Sequence, residues 1–559
     1  MLWAPAGDGS VAPDNLPMIG NGFLAQQLMA DSLYCAGVFA GHGLEHGSHR
    51  ARIPSPLAVP APGPLAGPAA LDVRRATYYR RSVLAPAAPG GAPCTAASIV
   101  SCVNARGPVT VEQRWYAHRA LPSLAVMVVA VSASASAAPT GSGPYAVLRL
   151  SSTGMAPSAD FNFSGVPAPP ACGAPGACAA QVGTTQGGTE CPPGECGRIV
   201  TQPFTVALLS TPLPAVLVVA DAAAAAAAPA YFFTVVRTSI ETPVAALVEA
   251  AGQDFAAAGA LAAAGTLHAA HAAEWAETVW GSGFSTDRAD AALAVNTSLY
   301  SIVSSLRADR PFSTSPGGLA NDGYNGHSFW DCETWMWPSL NLLLPDLAAS
   351  MLDYRVATLP GAYFKATTYS PPYSGASFAW ESAVSGIELA SAPWGTDELH
   401  IGSDIAAAVW AFWVASQDAS GPYLNATAWP LMQGIAEFWM SKLALDNAGA
   451  AAGAALHLRN VMGALPRRCA HRFRPLLPRL PHALLSPPLP PLPPRPRRVQ
   501  RPRGRQRVHQ CRRDSGAHAR CGSGGAGGAG ARAAGAVAGR CRAPDGGVRR
   551  SARLPPRVC

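Results

Sequence analysis

Lysine is almost absent from this 559-residue chain, which contains only Lys365 and Lys442. Alanine, glycine and proline are abundant, a usage that follows GC-rich codons more than any structural class. The first residues, Met-Leu-Trp-Ala-Pro-Ala-Gly-Asp, also lack the long apolar run that forms the core of a signal peptide. We therefore expect a cytoplasmic location by default, unless the gene begins further upstream.

Charge is divided unevenly along the chain. The formal net charge is +8, but residues 464–559 contain twenty-two Arg, no Lys and two acids, so this tail carries +20 and the remainder carries −12. Nucleic-acid binding would depend on the tail alone. The tail lacks lysine and interleaved aromatic residues, so we expect no nucleic-acid partner. A non-enzymatic protein whose basic tail binds nucleic acid stays as an alternative, which a strong salt dependence of binding would support.

The thirteen cysteines do not form a regular framework. Cys172, Cys178, Cys191 and Cys196 lie in one Gly/Pro/Thr-rich segment, where disulfides would staple a loop if the protein is secreted. Neither pair has Cys-x2-Cys spacing, which disfavours zinc. His42-Gly-Leu-Glu-His46 has the formal pattern of an inverted zinc peptidase motif, but the neighbouring glycines disfavour the helix that this motif needs. We expect no metal site and no cofactor.

A chain of this length exceeds a single hydrophobic core, so we expect two or three domains. Residues 1–245 are predicted to form an antiparallel β-sandwich, because short apolar runs alternate with Gly, Pro and Ser. Three such runs are Leu124–Val131, Tyr145–Leu150 and Phe204–Leu209. The apolar segment Pro212–Val236 has the composition of a membrane helix, but Asp221 and Pro229 interrupt it and favour two strands joined by an alanine-rich loop. We expect no membrane partner.

The hydrophobic period changes near Gln253, where an alanine-rich helical stretch runs to residue 278. Residues 246–280 are assigned to a helical linker and residues 281–463 to a helical domain. Further helices are predicted after a Thr286-Asp287 cap, from Pro345, over Asp404–Gln417 and over Leu431–Leu445. Successive helices separated by loops that carry Trp and carboxylates suit a toroid of paired helices, in which the loops at one end form a pocket.

Two short runs concentrate the aromatic and acidic residues of the helical domain. Asn321-Asp-Gly-Tyr-Asn-Gly-His-Ser-Phe-Trp-Asp-Cys-Glu-Thr-Trp-Met-Trp-Pro338 contains three Trp, three acids and one His, and Gly375-Ala-Ser-Phe-Ala-Trp-Glu-Ser-Ala383 repeats the pairing of Trp with a carboxylate. An indole packs on the C–H face of a sugar while a carboxylate accepts its hydroxyl hydrogen bonds, so the pattern indicates a carbohydrate site. The alternative is an aromatic core cluster with solvated acids.

Both runs resemble segments of glycoside hydrolase family 65, the first its Gly-His-x-Phe-Trp-Asp-x-Glu segment and the second its Phe-Ala-Trp-Glu-Ser-Ala segment. Within that family, the runs resemble those of the acid-trehalase-like members. The resemblance extends to Leu16–Gly22, Ser48–Pro56, Val111–Ala120 and Asp397–His400. It covers residues from roughly 14 to 463, with a gap between about 130 and 280.

The resemblance implies a β-sandwich, an (α/α)6 barrel and a small C-terminal β-domain, of which this chain would hold the sandwich and a truncated barrel. It also implies that four residues bind the glucosyl unit beside the scissile bond, namely Trp330, Asp331, Trp380 and Glu381. His327 and Glu333 are weaker candidates for substrate binding, because bracing of the loop explains either residue equally well.

The resemblance ends at Gly463. The family continues with Pro-Asp-Glu-Tyr, whose Glu is its general acid, whereas this chain becomes rich in Pro and Leu, then in Arg, then in Gly and Ala. No hydrophobic period survives there, so residues 464–559 are predicted to be a disordered tail. The chain as written contains no catalytic residue of the family, since the base also lies further along, and we expect it to be inactive.

A retained intron accounts for this change. If the reading frame is shifted by one base, codons that are allowed for Arg495–Val499 can encode Gly-Pro-Asp-Glu-Tyr. In the same shifted frame, codons for Arg503–Cys511 can encode Val-Asp-Asp-Asn-Val-Tyr-Thr-Asn-Ala, which resembles the family sequence after the acid. A GT…AG intron of about 97 bases fits between the codons for Gly463 and Arg495, and its length would shift the frame. A single match of this kind arises easily by chance, because shifted arginine codons permit several residues. Two matches in the same register favour the intron.

The resemblance implies that the spliced parent is an inverting glycoside hydrolase that removes glucose from an α-glucoside of the glucosylgalactosyl-hydroxylysine type. A carboxylic acid would protonate the leaving oxygen and a carboxylate, roughly 6.5–9.5 Å away, would activate water on the opposite face. An acid trehalase and a family 65 disaccharide phosphorylase, which uses phosphate in place of water, are the alternatives. A carbohydrate is the expected partner, and the oligomeric state is left open.

Overall fold

The computed structural model describes residues 2–3, 17–41, 47–84, 109–133, 146–150, 157–186, 203–219, 229–282, 284–417, 421–451, 453–462 and 472–473. These residues lie within one compact unit, Met1–Leu477. An antiparallel, sheet-rich region precedes a helical region, as predicted. The motif His42–His46 and the predicted tail lie outside the described residues, apart from the short strand Arg472–Phe473.

The strands described before the first helix are short and are all paired antiparallel. They are β1 Leu2–Trp3, β2 Met18–Gly20, β3 Leu24–Gln27, β4 Ser32–Cys35, β5 Phe39–Ala40, β6 His49–Arg50, β7 Ile53–Pro54, β8 Ala69–Asp72, β9 Thr77–Leu84, β10 Val109–Ala117, β11 Leu124–Ala133, β12 Ala146–Arg149, β13 Phe161–Val166, β14 Ala179–Thr185, β15 Thr205–Ser210, β16 Val216–Val219 and β17 Ala230–Thr238. The apolar runs in β11, β12 and β15 are confirmed as strands. The segment Pro212–Val236 contains β16 and most of β17, and residues 220–228 between these strands lie outside the described part.

A nine-stranded sheet organises this region, in the order β1-β8-β9-β10-β11-β17-β15-β14-β13. Side chains alternate between its faces because the period of a strand is two. In β11, Val126 and Val128 belong to one buried cluster, whereas Met127 and Val129 belong to another. Apolar residues occupy both positions of the alternation, so this strand is covered on both faces.

A four-stranded sheet, β2-β3-β4-β7, packs against the part of the nine-stranded sheet that contains β17, β15 and β13. Their shared cluster joins residues of the smaller sheet to residues of β13, β15 and β17, and includes Phe23, Leu24, Leu33, Ile53, Phe161, Val206, Leu208 and Val236. Each residue is at most 4% exposed. Burial of this apolar surface is the main stabilising contribution where the two sheets meet.

Two helices cover part of the nine-stranded sheet, where one alanine-rich helical stretch was predicted. Helix α1 spans Leu247–Ala263 and α2 spans Leu267–Thr278, with Gly265 between them at a φ of +70° that favours glycine. Leu247, Ala251 and Phe255 of α1 pack on the sheet. The segment Val244–Ala263 has the length and composition of a membrane span. Packing of one face on the sheet makes it a core helix of this fold.

The helical region continues with α3 Ala289–Val303, α4 Trp337–Leu343, α5 Pro345–Ala357, α6 Leu359–Thr367, α7 Trp394–Asp397, α8 Ile401–Ser416 and α9 Trp429–Asp446. The helices predicted from Pro345, over 404–417 and over 431–445 are confirmed as α5, α8 and α9. The predicted Thr286-Asp287 cap is wrong. Arg288 occupies the capping position of α3 without a side-chain cap hydrogen bond, because Thr286 lies too early and accepts the backbone N–H of Arg288 instead.

Both lysines of the chain are buried in the helical region. Lys365 on α6 is 3% exposed and Lys442 on α9 is 2% exposed. Their ammonium groups lie 2.6 Å from Glu388 and 3.3 Å from Asp446, respectively. A buried lysine normally requires such a partner, and both ammonium groups have one.

Two of the four clustered cysteines form a disulfide. Cys172 and Cys178 are bonded to each other, which staples the turn between β13 and β14. Cys191 and Cys196 lie outside the described residues.

Two histidines are buried without charge between the sheet and α2. His118 donates from Nε2 to the carbonyl of Leu267 and accepts the N–H of Leu121 at Nδ1. His271 donates from Nε2 to the carbonyl of Arg75 and accepts the N–H of Arg119 at Nδ1. Burial lowers the pKa of His118 to about 4. Burial, with His118 and His268 nearby, lowers the pKa of His271 well below its usual value.

Acidification below pH 6.5 is expected to destabilise the fold through these two histidines. In the unfolded chain the two histidines are protonated as the pH falls through 6.5, whereas folded His118 is protonated only near pH 4. The free energy of unfolding therefore keeps its full value above pH 6.5 and decreases as the pH falls towards 4. Each histidine should remove about 1.4 kcal/mol for each pH unit. Urea unfolding between pH 7 and 5 measures the slope. A His118→Gln variant should lose about half of it, and an unchanged slope in that variant would contradict the assignment.

Candidate active site

A two-way backbone bridge brings the two Trp-carboxylate runs together. The N–H of Ser328 donates to the carbonyl of Ser382 at 2.9 Å, and the N–H of Ser382 donates back at 3.1 Å. The rings of Phe329 and Trp380 lie edge to face, with centroids 5.0 Å apart. Tyr354 reinforces the bridge by donating its hydroxyl to Ala383 at 2.6 Å. Residues about fifty positions apart in the sequence therefore occupy one site.

Trp330 and Asp331 precede a π-helical turn, Cys332–Met336, that leads into α4. Pro338 lacks the N–H that an α-helix would donate to Thr334, so the chain widens here. Such turns are rare and occur frequently at functional sites. Asp331 is half-buried, and this burial raises the pKa of its carboxyl.

His400 lies against Trp330, with ring centroids 5.0 Å apart and the planes nearly perpendicular. Its Nδ1 donates to Asp404 at 2.5 Å and its Nε2 donates to Glu398 at 3.1 Å. Burial opposes a charge on His400, but Asp404 and Glu398 outweigh it and raise the pKa. An imidazolium held by two carboxylates thus supports the edge of Trp330.

His327 connects Glu381 to the sheet-rich region. Nδ1 of His327 donates to Oε2 of Glu381 at 3.3 Å, and Nε2 accepts the hydroxyl hydrogen of Ser48 at 3.3 Å. His327 is 1% exposed and Glu381 is 8% exposed. This arrangement fixes the orientation of the Glu381 carboxylate, so His327 acts by holding Glu381 in place.

Glu333 has a bracing role. Its two carboxylate oxygens accept from Nε and Nη2 of Arg355 at 2.7 and 2.8 Å, with both side chains essentially unexposed. Arg355 also donates to the carbonyl of Phe329 at 3.1 Å. Burial opposes the charge of Arg355, but Glu333 outweighs it and raises its pKa. This pair supports the run that carries Trp330 and Asp331.

Arg50 of β6 supports the same run from the sheet-rich region. Its guanidinium donates to the carbonyls of Gly318, Asn321 and Gly326 at 2.6, 3.0 and 2.9 Å. A side chain at Gly326, whose φ is +72°, would collide with Arg50. Burial lowers the pKa of Arg50 to about 10, so it is still charged at neutral pH. The site therefore depends on the sheet-rich region as well as on the helices.

Tyr324 stands at the edge of the site. Tyr324 and Asn325 have left-handed φ values of 57° and 56°, which is uncommon for residues with side chains. Tyr324 is 62% exposed, and its ring lies 5.7 Å from Phe329. The strained turn thus presents an aromatic ring beside the Phe329–Trp380 pair.

The predicted site residues are therefore assembled in two roles. Trp330, Asp331, Trp380 and Glu381 lie on the bridged runs, while His327 and Glu333 hold them. Sequence reasoning missed the supporting roles of Arg50 and His400, although both lie in segments that were singled out. The role of Glu388, described below, had no sequence signal.

Two other features bear on the chemistry of the site. Among the described residues, no group of three or more His, Cys, Asp or Glu could hold a metal ion. A cavity of about 520 Å³ lies elsewhere, lined by Arg119, Glu274, Arg307, Asp309, Asp346 and their neighbours. None of the six predicted site residues lines this cavity, and Arg307 is already paired with Asp309. The Trp-carboxylate runs are therefore the better candidate for the site.

Comparison with known families identifies the helical region. Residues 296–465 match the central catalytic domain of glycosyl hydrolase family 65, so this part of the chain is a segment of that domain. The family resemblance inferred from the two runs is confirmed.

Among curated proteins, the chain is 32% identical over 458 residues to a protein-glucosylgalactosylhydroxylysine glucosidase from Dictyostelium discoideum, covering 78% of this chain and 57% of that protein. It is 38% identical over 182 residues to a kojibiose hydrolase from Flavobacterium johnsoniae, covering 32% and 26%. Among solved structures, a putative kojibiose phosphorylase from the human microbiome matches with a TM-score of 0.55 and 12% identity, covering 80% of this chain and 57% of that one. The chain thus spans little more than half the length of its long matches.

Proposed function

We propose that the protein encoded by this gene is an inverting glycoside hydrolase that removes glucose from an α-glucoside. The observation that carries the proposal is the Ser328–Ser382 bridge, which joins the two Trp-carboxylate pairs. Trp330 and Trp380 provide apolar faces for a sugar ring, and Asp331 and Glu381 provide acceptors for its hydroxyls. The name of the Dictyostelium relative supports a substrate of the glucosylgalactosyl-hydroxylysine type.

Two polar groups of the candidate site suit sugar binding. Burial removes water from the half-buried carboxylate of Asp331. Hydrogen bonds from sugar hydroxyl groups would replace the hydrogen bonds that this water provided and would stabilise the carboxylate. The indole N–H of Trp380 is buried and has no hydrogen-bond partner among the described residues. Such a donor in a native fold requires an explanation, and a carbohydrate hydroxyl is a fitting acceptor.

The proposed architecture is a β-sandwich over residues 1–245, a helical linker over 246–280 and a truncated (α/α)6 barrel over 281–463. The sheet-on-sheet cluster, the succession of helices and the likeness to the kojibiose phosphorylase fold support it. The α9 helix and the loop after it stand near the end of the matched segment. On this proposal, the remaining barrel helices and the general acid are encoded beyond Gly463.

Residues 464–559 are proposed to be the translation of an intron of about 97 bases and of the shifted frame that follows it. The match to the family domain ends at residue 465, where the sequence changes composition. Sequencing the transcript across the codons for Gly463 and Arg495 tests this. A product shorter by about 97 bases would restore Val-Met-Gly-Pro-Asp-Glu-Tyr. A transcript found only in the long form would show that no intron is removed here.

Asp331 provides a test of the site in the protein translated from the shorter transcript, called here the corrected chain. Asp331→Asn is expected to lower kcat/KM for α-glucoside hydrolysis by about 100-fold or more, because a carboxylate that holds the sugar in the transition state loses its charge. Release of free glucose is the measurement. Asp346→Asn, on an exposed carboxylate at the start of α5, is the matched control and should retain activity. Equal rates in both variants would remove Asp331 from the site.

A phosphorylase is the second candidate, favoured by the fold likeness to a putative kojibiose phosphorylase. The same corrected chain separates the two reactions. Release of free glucose in phosphate-free buffer indicates hydrolysis, and a strict requirement for phosphate with formation of a glucose phosphate indicates phosphorolysis. Trehalose and kojibiose, tested beside a glucosylgalactosyl-hydroxylysine glycopeptide, rank the substrates.

A further inference from the structure

The carboxylate of Glu388 organises the backbone that carries Trp380 and Glu381. Its Oε2 accepts the backbone N–H of Trp380 at 2.8 Å, and its Oε1 accepts the N–H of Ala390 at 3.0 Å and of Glu381 at 3.4 Å. The N–H of Leu389 returns to the carbonyl of Glu381 at 3.2 Å. One side chain thus closes the segment from 380 to 390 upon itself.

Lys365 completes this arrangement from α6. Its Nζ donates to Oε2 of Glu388 at 2.6 Å and to the carbonyl of Phe378 at 3.2 Å. The two side chains are 4% and 15% exposed. Burial opposes the ammonium charge, but Glu388 and then Tyr369 outweigh it and raise the pKa of Lys365. The lysine is therefore charged at neutral pH and balances the carboxylate that it touches.

We propose that Lys365 and Glu388 are positioning residues for sugar binding, whose buried ion pair fixes the backbone from Phe378 to Glu381 and so sets the directions of the Trp380 and Glu381 side chains. This inference rests on the proposed function, which makes Trp380 and Glu381 ligands of the sugar. The pair touches the backbone of both residues and connects them to α6.

A general structural role is the competing explanation for a buried ion pair, since breaking such a pair destabilises a fold wherever it lies. The two possibilities differ in what the pair holds. Lys442 is equally buried and pairs with Asp446, but both residues belong to α9. Within the described part of the chain, Lys442 also donates to the hydroxyl of Tyr373. Lys442 therefore provides a matched control in the same chain, since a lysine of similar burial is removed without releasing residues 378–381.

The test compares Lys365→Met with Lys442→Met in the 559-residue chain and in the corrected chain. Calorimetric titration with 1-deoxynojirimycin, a cationic glucose analogue, measures binding, and thermal unfolding measures stability. Both variants should lower the melting temperature. Lys365→Met should weaken binding by about tenfold or more, because small misplacements of binding groups are costly, while Lys442→Met should bind as the unmodified chain does.

A second variant guards against loss of folding in Lys365→Met. Lys365→Met/Glu388→Gln leaves no unpaired buried charge, so it should fold better than the single variant. One amide oxygen cannot serve the three N–H groups that the carboxylate serves, so binding should still be weak. Folded Lys365 variants that bind as tightly as Lys442→Met would overturn the inference. Failure of both unmodified proteins, the 559-residue chain and the corrected chain, to bind the probe would overturn the proposed sugar site, and the inference with it.

Discussion

Replacing Arg355 with methionine is expected to lower the free energy of unfolding by about 3–5 kcal/mol. The substitution leaves the Glu333 carboxylate in the core with no cation, and it releases the carbonyl of Phe329. Removing a charge that pairs with another buried charge costs more than removing an exposed ion pair, which contributes about 0–1 kcal/mol. Urea unfolding at pH 7 measures the difference.

Two further variants separate the buried charge from the loss of packing. Arg355→Met/Glu333→Leu removes both charges and should recover much of the stability, because apolar replacements of buried ion pairs are often neutral. Arg288→Met removes a partner of the exposed pair with Asp290 and should change stability little. If Arg355→Met lowered the free energy of unfolding by less than about 1 kcal/mol, the buried Glu333–Arg355 pair would contribute no more than an exposed ion pair, which would contradict the prediction.

The corrected chain is expected to hydrolyse its α-glucoside at least about 10²–10⁴-fold faster than the chain as written. This range is what a general acid contributes, and the corrected chain regains the glutamate of Pro-Asp-Glu-Tyr. The restored barrel helices should increase the difference further. Glucose release from both proteins, expressed and assayed side by side, is the measurement.

A third protein makes that comparison specific. Changing the restored glutamate to glutamine in the corrected chain keeps the added helices but removes the acid, so its rate should fall towards that of the chain as written. Comparable rates for the corrected chain and the chain as written would show that the acid lies elsewhere. Thermal unfolding of the three proteins separates loss of chemistry from loss of folding.

Much of the local structure was predictable from sequence because it depends on periodicity. The apolar run Leu124–Val131 alternates into two buried clusters and became a strand. The helix from Pro345 was predictable because proline suits the first turn and Leu347, Met351 and Tyr354 recur at helical spacing. The start of α3 was not predictable, since a nearby Thr-Asp dipeptide offered a plausible cap that the chain does not use.

The candidate site was predictable only in its pairs of indole and carboxylate. Trp330, Asp331, Trp380 and Glu381 were visible as unusual neighbours of indole and carboxylate. The residues that hold them act through contacts between distant parts of the chain, as Arg50 does with Gly326. No period or spacing encodes such a contact. Glu333 carries the same carboxyl group as Asp331, and only its burial against Arg355 distinguishes its bracing role from the sugar binding proposed for Asp331.

Burial of both lysines makes amine chemistry a reporter of this fold. An N-hydroxysuccinimide ester added to the native protein should react with the α-amino group of the chain and spare Lys365 and Lys442, which are 3% and 2% exposed. Coupling to a sensor surface through amines would accordingly not proceed through Lys365 or Lys442. Conjugation of ubiquitin to either lysine would require the helices around α6 and α9 to open first.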